Sequence, residues 1–300
     1  MYEKLSNFGN VSLDTSFKNK TSFQIGGKIK YYIEVFDFEN LKLLIKYLLD
    51  NKIPYFVIGN GTNLLVSDED FDIVVISLKC LNNYYQEDET FIVEAGALAT
   101  YIGTKITMLG YKSPLCLSLI PGSIGGVIYM NASAYGVDVK QYLTKVEYLN
   151  EFGEVKYLEN FNDFSYRNTP FKNNKWIITK GYFKFEKDLT NNSLTKLNDI
   201  RNIKRLTQPL NTKCAGSVFK NGKDFTAWKE IKKLNLDNLQ IGDARISKIH
   251  ANIFVNDGVA TFRDMYELIN KVKQTVYDKS NIILEEEIEI IEPQDIIPYQ

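Results

Sequence analysis

Residues 118 to 136 read SLIPGSIGGVIYMNASAYG, with Gly122, Gly125 and Gly126 crowded together and Asn131, Tyr135 and Gly136 close behind. Glycine weakens a helix or strand interior and is retained where the backbone needs a positive φ or must approach another group closely. A fold for this chain must therefore bring bare backbone to a surface at this point. A second cluster, IGNGTNLLVSD, sets Gly59 and Gly61 around Asn60 and leads into Thr62, Asn63 and Leu64. The dinucleotide fingerprint G-x-G-x-x-G fails because position 64 is Leu. A phosphate-binding P-loop fails too, since neither cluster is followed by Lys-Ser or Lys-Thr at the required spacing. What remains is two loops whose backbone N–H groups can point at phosphate oxygens, a pyrophosphate above all. Tight turns alone produce the same pattern.

The elements around these loops form an α+β chain of three blocks. IKYYIEVF reads as a strand, DFENLKLLIKYLLDN as a helix opening at Asp37, and PYFVIG as a second strand ended by Gly59. DIVVISL supplies a third strand, and the Asn pair at 82 and 83 marks a boundary. Strand FIVEAG and helix LATYIGTKITML, closed by Gly110, lead into the long glycine loop. TKVEYLN and EVKYLEN form a hairpin, KWIITKGYFKFEK adds a strand, and a polar helical crossover ends at Pro209. In TFRDMYELINKVKQTVYDK the residues Met265, Leu268, Ile269, Val272 and Val276 share one helix face, with Thr261 and Asp264 spaced as a capping box. IILEEEIEIIE is expected to close the chain as one alternating strand.

Composition removes several classes of function. With 36 Lys and Arg against 37 Asp and Glu in 300 residues, the chain has no basic surplus for nucleic acid or an anionic membrane. The polar N-terminus lacks a signal-like apolar segment, and no stretch reaches the roughly 18 apolar residues of a membrane span, so a cytoplasmic protein is expected. Cys80, Cys116 and Cys214 are widely spaced, which favours idle thiols over disulfides or zinc, and no metal is expected. The single histidine, His250, reads as a structural imidazole entering a strand.

Three residues could carry chemistry, each with a plain alternative. Arg167 in FSYRNTPF could be a surface cation, Ser217 in CAGSVFKN a turn hydroxyl beside Gly216, and Glu287 part of a solvated acidic edge.

Taken in order, KTSFQIGG, IGNGTNLLVSD, IPGSIGGVIYMNASAYG, YRNTPF, QPLNTKCAGSVFKN, IGDARISKIHANIFVN and ILEEEIEII resemble the UDP-N-acetylenolpyruvoylglucosamine reductase family over most of the chain. The resemblance implies a two-lobed FAD-binding unit of the vanillyl-alcohol-oxidase type, with lobes at 1–80 and 81–190. A helical crossover at 191–208 and a smaller α+β substrate domain at 209–300 follow. It implies a cytoplasmic, monomeric oxidoreductase of peptidoglycan synthesis in which NADPH and an enolpyruvyl sugar nucleotide use one cleft in turn. The stretch between YRNTPF and KWIITKGYF is only KNN, as in the shorter subclass without an extra substrate-covering loop.

Residue by residue, the resemblance assigns FAD to Gly59, Asn60, Gly61, Thr62, Asn63, Leu64, Pro121, Gly122, Ser123, Gly125, Gly126, Tyr135 and Gly136. Non-covalent attachment is expected, because the only His lies in the substrate domain. Arg167 is implied as the cation facing the substrate carboxylate, Glu287 as its protonated partner acid and Ser217 as the proton donor. Tyr166, Arg205, Lys220 and Asn221 are implied at the sugar nucleotide. A flavin oxidase of another alcohol, or a non-catalytic binding module, would share the fold without needing those three roles.

The chain departs from the family pattern at Leu119 and Ser133, where glycines are usual, and at Thr62, where Ser is common. It departs most at Glu289, where a basic residue is usual. Either Arg245 or another cation is expected to compensate there, or that end of the site is arranged differently.

Overall fold

The computed structural model describes residues 1–296. In the first lobe, strand Phe71–Ser77 lies between Lys28–Val35 and Tyr55–Ile58 and runs parallel to both. The connection from Lys28–Val35 to Tyr55–Ile58 is helix Phe38–Asp50, whose first turn is capped by the Asp37 carboxylate accepting from the Asn40 N–H at 2.8 Å. Its buried face is Leu41, Leu44, Ile45 and Leu48. A fourth strand, Gly9–Ser16, pairs antiparallel at the sheet edge. No strand is expected there from the sequence, because an edge strand open to solvent has little hydrophobic alternation.

The second lobe is a five-stranded antiparallel sheet ordered Val155–Leu158, Leu143–Leu149, Ile177–Lys184, Thr90–Glu94, Tyr84–Glu87. Helix Ala99–Met108 packs beside it and gives way to Gly110 at φ +84°. Leu44 and Ile45 of the first lobe belong to the same core as Ile102, Ile106 and Phe183 of the second, so the lobes are fused rather than hinged.

The glycine stretch is not one loop, contrary to expectation. One helical segment, Leu115–Ser118, ends at its first residue, and a second, Ile124–Tyr129, lies inside it and contains Gly125 and Gly126. The Ser123 hydroxyl starts that segment by accepting from the Gly126 N–H at 3.3 Å. Gly125 donates to the Ala95 carbonyl at 2.8 Å, and a Cβ on it would stand 3.1 Å from the Ala95 methyl. That glycine lets the helix press against the second lobe.

Helix Ser193–Thr207 crosses to the third region, which packs strands Gln240–Ile241, Ala244–Ile246 and Phe254–Asn256 against helices Ala227–Lys233 and Phe262–Ser280. The capping box at Thr261 and Asp264 is formed. All five expected face residues of the last helix are fully buried, each worth about 1.5–3 kcal/mol in apolar transfer.

The expected continuous C-terminal strand is divided. Only Glu289–Ile291 is a regular strand, pairing parallel with Leu64–Val66 of the first lobe. Just before it, the Lys220 N–H donates to the Glu285 carbonyl and the Glu287 N–H to the Val218 carbonyl, an antiparallel contact within the third region. One segment serving two partners of opposite sense cannot keep a single register. Among the described residues, no helix is long and apolar enough to cross a membrane.

Candidate active site

Arg167 occupies the second corner of a tight turn closed by mutual backbone bonds between Ser165 and Asn168, at 3.0 and 3.2 Å. Its φ is +56°, a left-handed conformation that costs a non-glycine residue on the order of 1 kcal/mol and persists where surroundings hold it. Here the side chain is held at two points. Nε donates to Glu287 Oε1 at 2.7 Å and Nη1 to Ser133 Oγ at 2.8 Å, while the Tyr166 ring lies 4.9 Å from the guanidinium carbon. Ser133, one of the two missing glycines, thus becomes a support for the arginine.

Glu287 is fixed through its backbone on both sides. Its N–H donates to Val218, the residue after Ser217, and its carbonyl accepts from Asn63 Nδ2 of the first glycine cluster at 3.1 Å. Both partners of the ion pair are nearly buried, with side-chain exposures of 12% and 14%. Burial pushes the Glu287 carboxyl above its ordinary range, and the pull of Arg167 in the other direction does not cancel it. The site favours a proton on this acid more than water does.

Ser217 is half-buried and follows Gly216, whose φ is +78°. Its segment, which makes an isolated bridge to Ile253, is held by Asn252, a buried residue not singled out from the sequence. The Asn252 carboxamide accepts from the Phe219 N–H at 3.0 Å and donates to the Phe219 carbonyl at 2.8 Å. Its own carbonyl accepts from the Val218 N–H. His250 Nδ1 accepts from the Asn252 N–H at 3.3 Å, and burial lowers the imidazole's pKa, so the histidine is structural as expected.

The two glycine clusters meet. Thr62 Oγ1 donates to the Pro121 carbonyl at 2.9 Å, and a Cβ on Gly59 would stand 2.5 Å from Ser123 Oγ. Gly122 at φ +154° and Gly136 at +81°, beside the exposed Tyr135 at +52°, continue the rim. The N–H groups of Asn60, Gly61, Thr62 and Asn63 donate to no acceptor among the described residues, whereas those of Ile124, Gly125 and Gly126 are engaged internally. The free donors of the first cluster fit a diphosphate such as that of FAD. Leu119 is buried, so its side chain does not narrow this rim.

Of the remaining candidates, Tyr166 and Asn221 come together, the Asn221 N–H reaching the phenol oxygen at 3.4 Å. Lys220 pairs with Glu285 nearby. Arg205 does not join them; it lies exposed on the crossover helix and contacts Asn202. That helix turns Arg201 and Lys204 toward the glycine stretch instead, Arg201 donating to Thr104 and to the Ser118 carbonyl, Lys204 to the Leu119 carbonyl. A 3.6-residue period places 201 and 204 on one face, which the sequence could have revealed.

The acidic run is not a solvated edge. Glu285 pairs with Lys220, Glu286 with Lys273, Glu287 with Arg167 and Glu289 with Lys172. The cation answering Glu289 is therefore Lys172, and Arg245 is engaged with Asp257 elsewhere.

An FAD-binding domain model matches residues 29–159, and the C-terminal domain model of UDP-N-acetylenolpyruvoylglucosamine reductase matches residues 208–291. A UDP-N-acetylenolpyruvoylglucosamine reductase of Thermotoga maritima is 39% identical over 272 residues, covering 90% of this chain and 95% of the relative. One of Carboxydothermus hydrogenoformans is 36% identical over 273 residues, covering 90% of each. The crystal structure of the enzyme of that name from Thermus caldophilus superposes with a TM-score of 0.78 at 28% identity, covering 94% of this chain and 98% of the other. The fold is accordingly an FAD-binding unit followed by a smaller α+β domain, and the chain belongs to the UDP-N-acetylenolpyruvoylglucosamine reductase family of FAD-dependent oxidoreductases.

Proposed function

We propose that the chain uses NADPH to reduce the enolpyruvyl group of UDP-N-acetylglucosamine enolpyruvate, giving UDP-N-acetylmuramate for peptidoglycan synthesis. It does so as a cytoplasmic monomer of the shorter subclass, with lobes at 1–80 and 81–190, a crossover at 191–208 and a substrate domain at 209–300. The observation that carries this reading is the nearly buried Arg167–Glu287 pair, whose Glu287 backbone is bonded to Val218, beside Ser217, and to the Asn63 carboxamide.

FAD held at the glycine clusters would supply the hydride chemistry at the terminal vinyl carbon, with NADPH as the reductant that restores it. Gly59 to Leu64, with Pro121, Gly122, Ser123, Gly125, Gly126, Tyr135 and Gly136, hold and border that cofactor. Negative charge then grows on the adjacent carbon and its carboxylate. Arg167, always cationic and planar, meets the carboxylate in a site with little water. Glu287, whose carboxyl burial pushes upward, is the acid placed to share a proton at this end of the substrate. The Ser217 hydroxyl delivers a proton to the carbanionic carbon and sets the lactyl stereocentre; hydride plus proton complete the saturation of the double bond. Tyr166, Lys220 and Asn221 border the sugar nucleotide, whereas Arg205, exposed on the crossover helix, is left out of that role.

The test is NADPH consumption by purified protein. Oxidation should depend on the enolpyruvyl sugar nucleotide and yield the lactyl ether in equal amount. A substrate-independent rate, with oxygen as acceptor, would instead identify an oxidase.

A further inference from the structure

Lys172 and Glu289 form an ion pair beside Arg167–Glu287, and both ends of it are anchored. On one side, the Thr169 hydroxyl donates to the Tyr129 carbonyl at 2.7 Å, and Phe171 is buried against Tyr148 and Trp176. Lys172 directly follows those anchors, in the short helix Pro170–Asn173, with its ammonium 5.5 Å from the Tyr129 ring centre. On the other side, Glu289 donates its N–H to the Asn63 carbonyl at 2.8 Å and begins the strand paired with Leu64–Val66. The pair is partly buried, with side-chain exposures of 17% for Lys172 and 32% for Glu289.

Glu287 lies in a bend directly before the strand Glu289–Ile291, so the two acids are two positions apart on the same terminal segment. Two cations from the 167–172 segment meet two acids from the terminal segment, and Asn63 is bonded to the backbone of both acids.

We propose that Lys172 and Glu289 are positioning residues: their ion pair locks the terminal strand to the Pro170–Asn173 helix, fixing Glu287 against Arg167 and the Asn63 loop against both. This rests on the proposed roles of Glu287 and of the Asn63 loop. A basic residue at 289 would confront Lys172, so the acid there is required by the lysine opposite.

The test compares wild type, Glu289→Gln, Glu289→Lys and the exchanged protein Lys172→Glu/Glu289→Lys. Two readouts are used: turnover with the enolpyruvyl substrate, and FAD affinity from quenching of flavin fluorescence, which needs no turnover. Leaving a buried charge without its partner is far costlier than replacing the pair, so Glu289→Lys should lose at least about tenfold in both readouts. Glu289→Gln should lose less, and the exchanged protein should recover to within about threefold of Glu289→Gln or better, since contacts in one network are coupled. The exchange forfeits the contact of Lys172 with Tyr129, so full recovery is not expected. Wild-type affinity and turnover in Glu289→Lys would overturn the proposal, as would an exchanged protein no better than Glu289→Lys. If wild type itself shows no substrate-dependent turnover while the order of FAD affinities holds, the reading of the reaction fails and the pair stands.

Discussion

Arg167 satisfies two demands with one side chain. Its Nε and Nη1 are committed to Glu287 and Ser133, which orients the guanidinium plane and leaves Nη2 without a partner among the described residues. A lysine can meet one acceptor at this length but cannot hold a plane, so Arg167→Lys keeps the charge and loses the orientation. Turnover should fall at least about tenfold, equivalent to about 1.4 kcal/mol in the barrier. Reduction of bound flavin by NADPH, followed by stopped-flow absorbance, should stay within about twofold of wild type, because the arginine is assigned to the sugar-nucleotide half of the cycle. Equal loss in both halves would reduce Arg167 to a structural role. At this scale the candidate residues were legible as short patterns, and the structure brings Arg167, Glu287 and the segment of Ser217 together. Their supports were not. Ser133 reads as a lost glycine and Lys172 as one lysine among many until the terminal segment is folded beside them, since ion pairs 117 and 120 residues apart leave no local spacing signal.

At the scale of elements, the segment SKIHANIF acts as a clamp on GSVFK. Asn252 satisfies both backbone groups of Phe219, a fully buried residue, and its main chain holds Val218. In Asn252→Ala the Phe219 N–H and carbonyl lose their partners in the interior, each costing about 1–3 kcal/mol. Urea unfolding monitored by circular dichroism should therefore show stability lower by about 2–5 kcal/mol, with an unchanged dependence on urea concentration because the surface exposed on unfolding is the same. A loss under 1 kcal/mol would mean that water replaces the amide and that the clamp is open to solvent. The helices were readable at this scale because an amphipathic helix carries its burial pattern in its own sequence, as Met265 to Val276 do. The glycine stretch was not, because whether Gly125 lies in a loop or a helix is decided by Ala95, thirty positions earlier. Likewise the terminal strand divides because Val218 and Leu64 claim different parts of it.

At the scale of the whole molecule, the rim proposed to hold the cofactor is assembled from both lobes and is closed by the third region. Gly59 to Asn63 belong to the first lobe, Pro121 to Gly136 to the second, and the terminal strand ties the third region beside Leu64. A ligand spanning that rim binds the native arrangement and not the unfolded chain, so its binding energy adds to folding stability. Attachment is expected to be non-covalent. Cys116 is the thiol nearest the glycine stretch in sequence, but it is completely buried and burial pushes its pKa up to about 12, leaving it neither accessible nor nucleophilic. His250, with its Nδ1 engaged at Asn252, belongs to the clamp instead. Purified protein should be yellow and should release all its flavin into the supernatant on acid precipitation. Protein stripped of flavin should melt several degrees lower, and FAD at about 100 times its dissociation constant should restore about 2.7 kcal/mol. The recovery should follow the logarithm of FAD concentration, as mass action requires, and riboflavin, which lacks the diphosphate that the free N–H groups of Asn60 to Asn63 are suited to meet, should restore much less. Flavin remaining with the precipitated chain would overturn non-covalent attachment, and equal protection by riboflavin would remove the diphosphate from those amides.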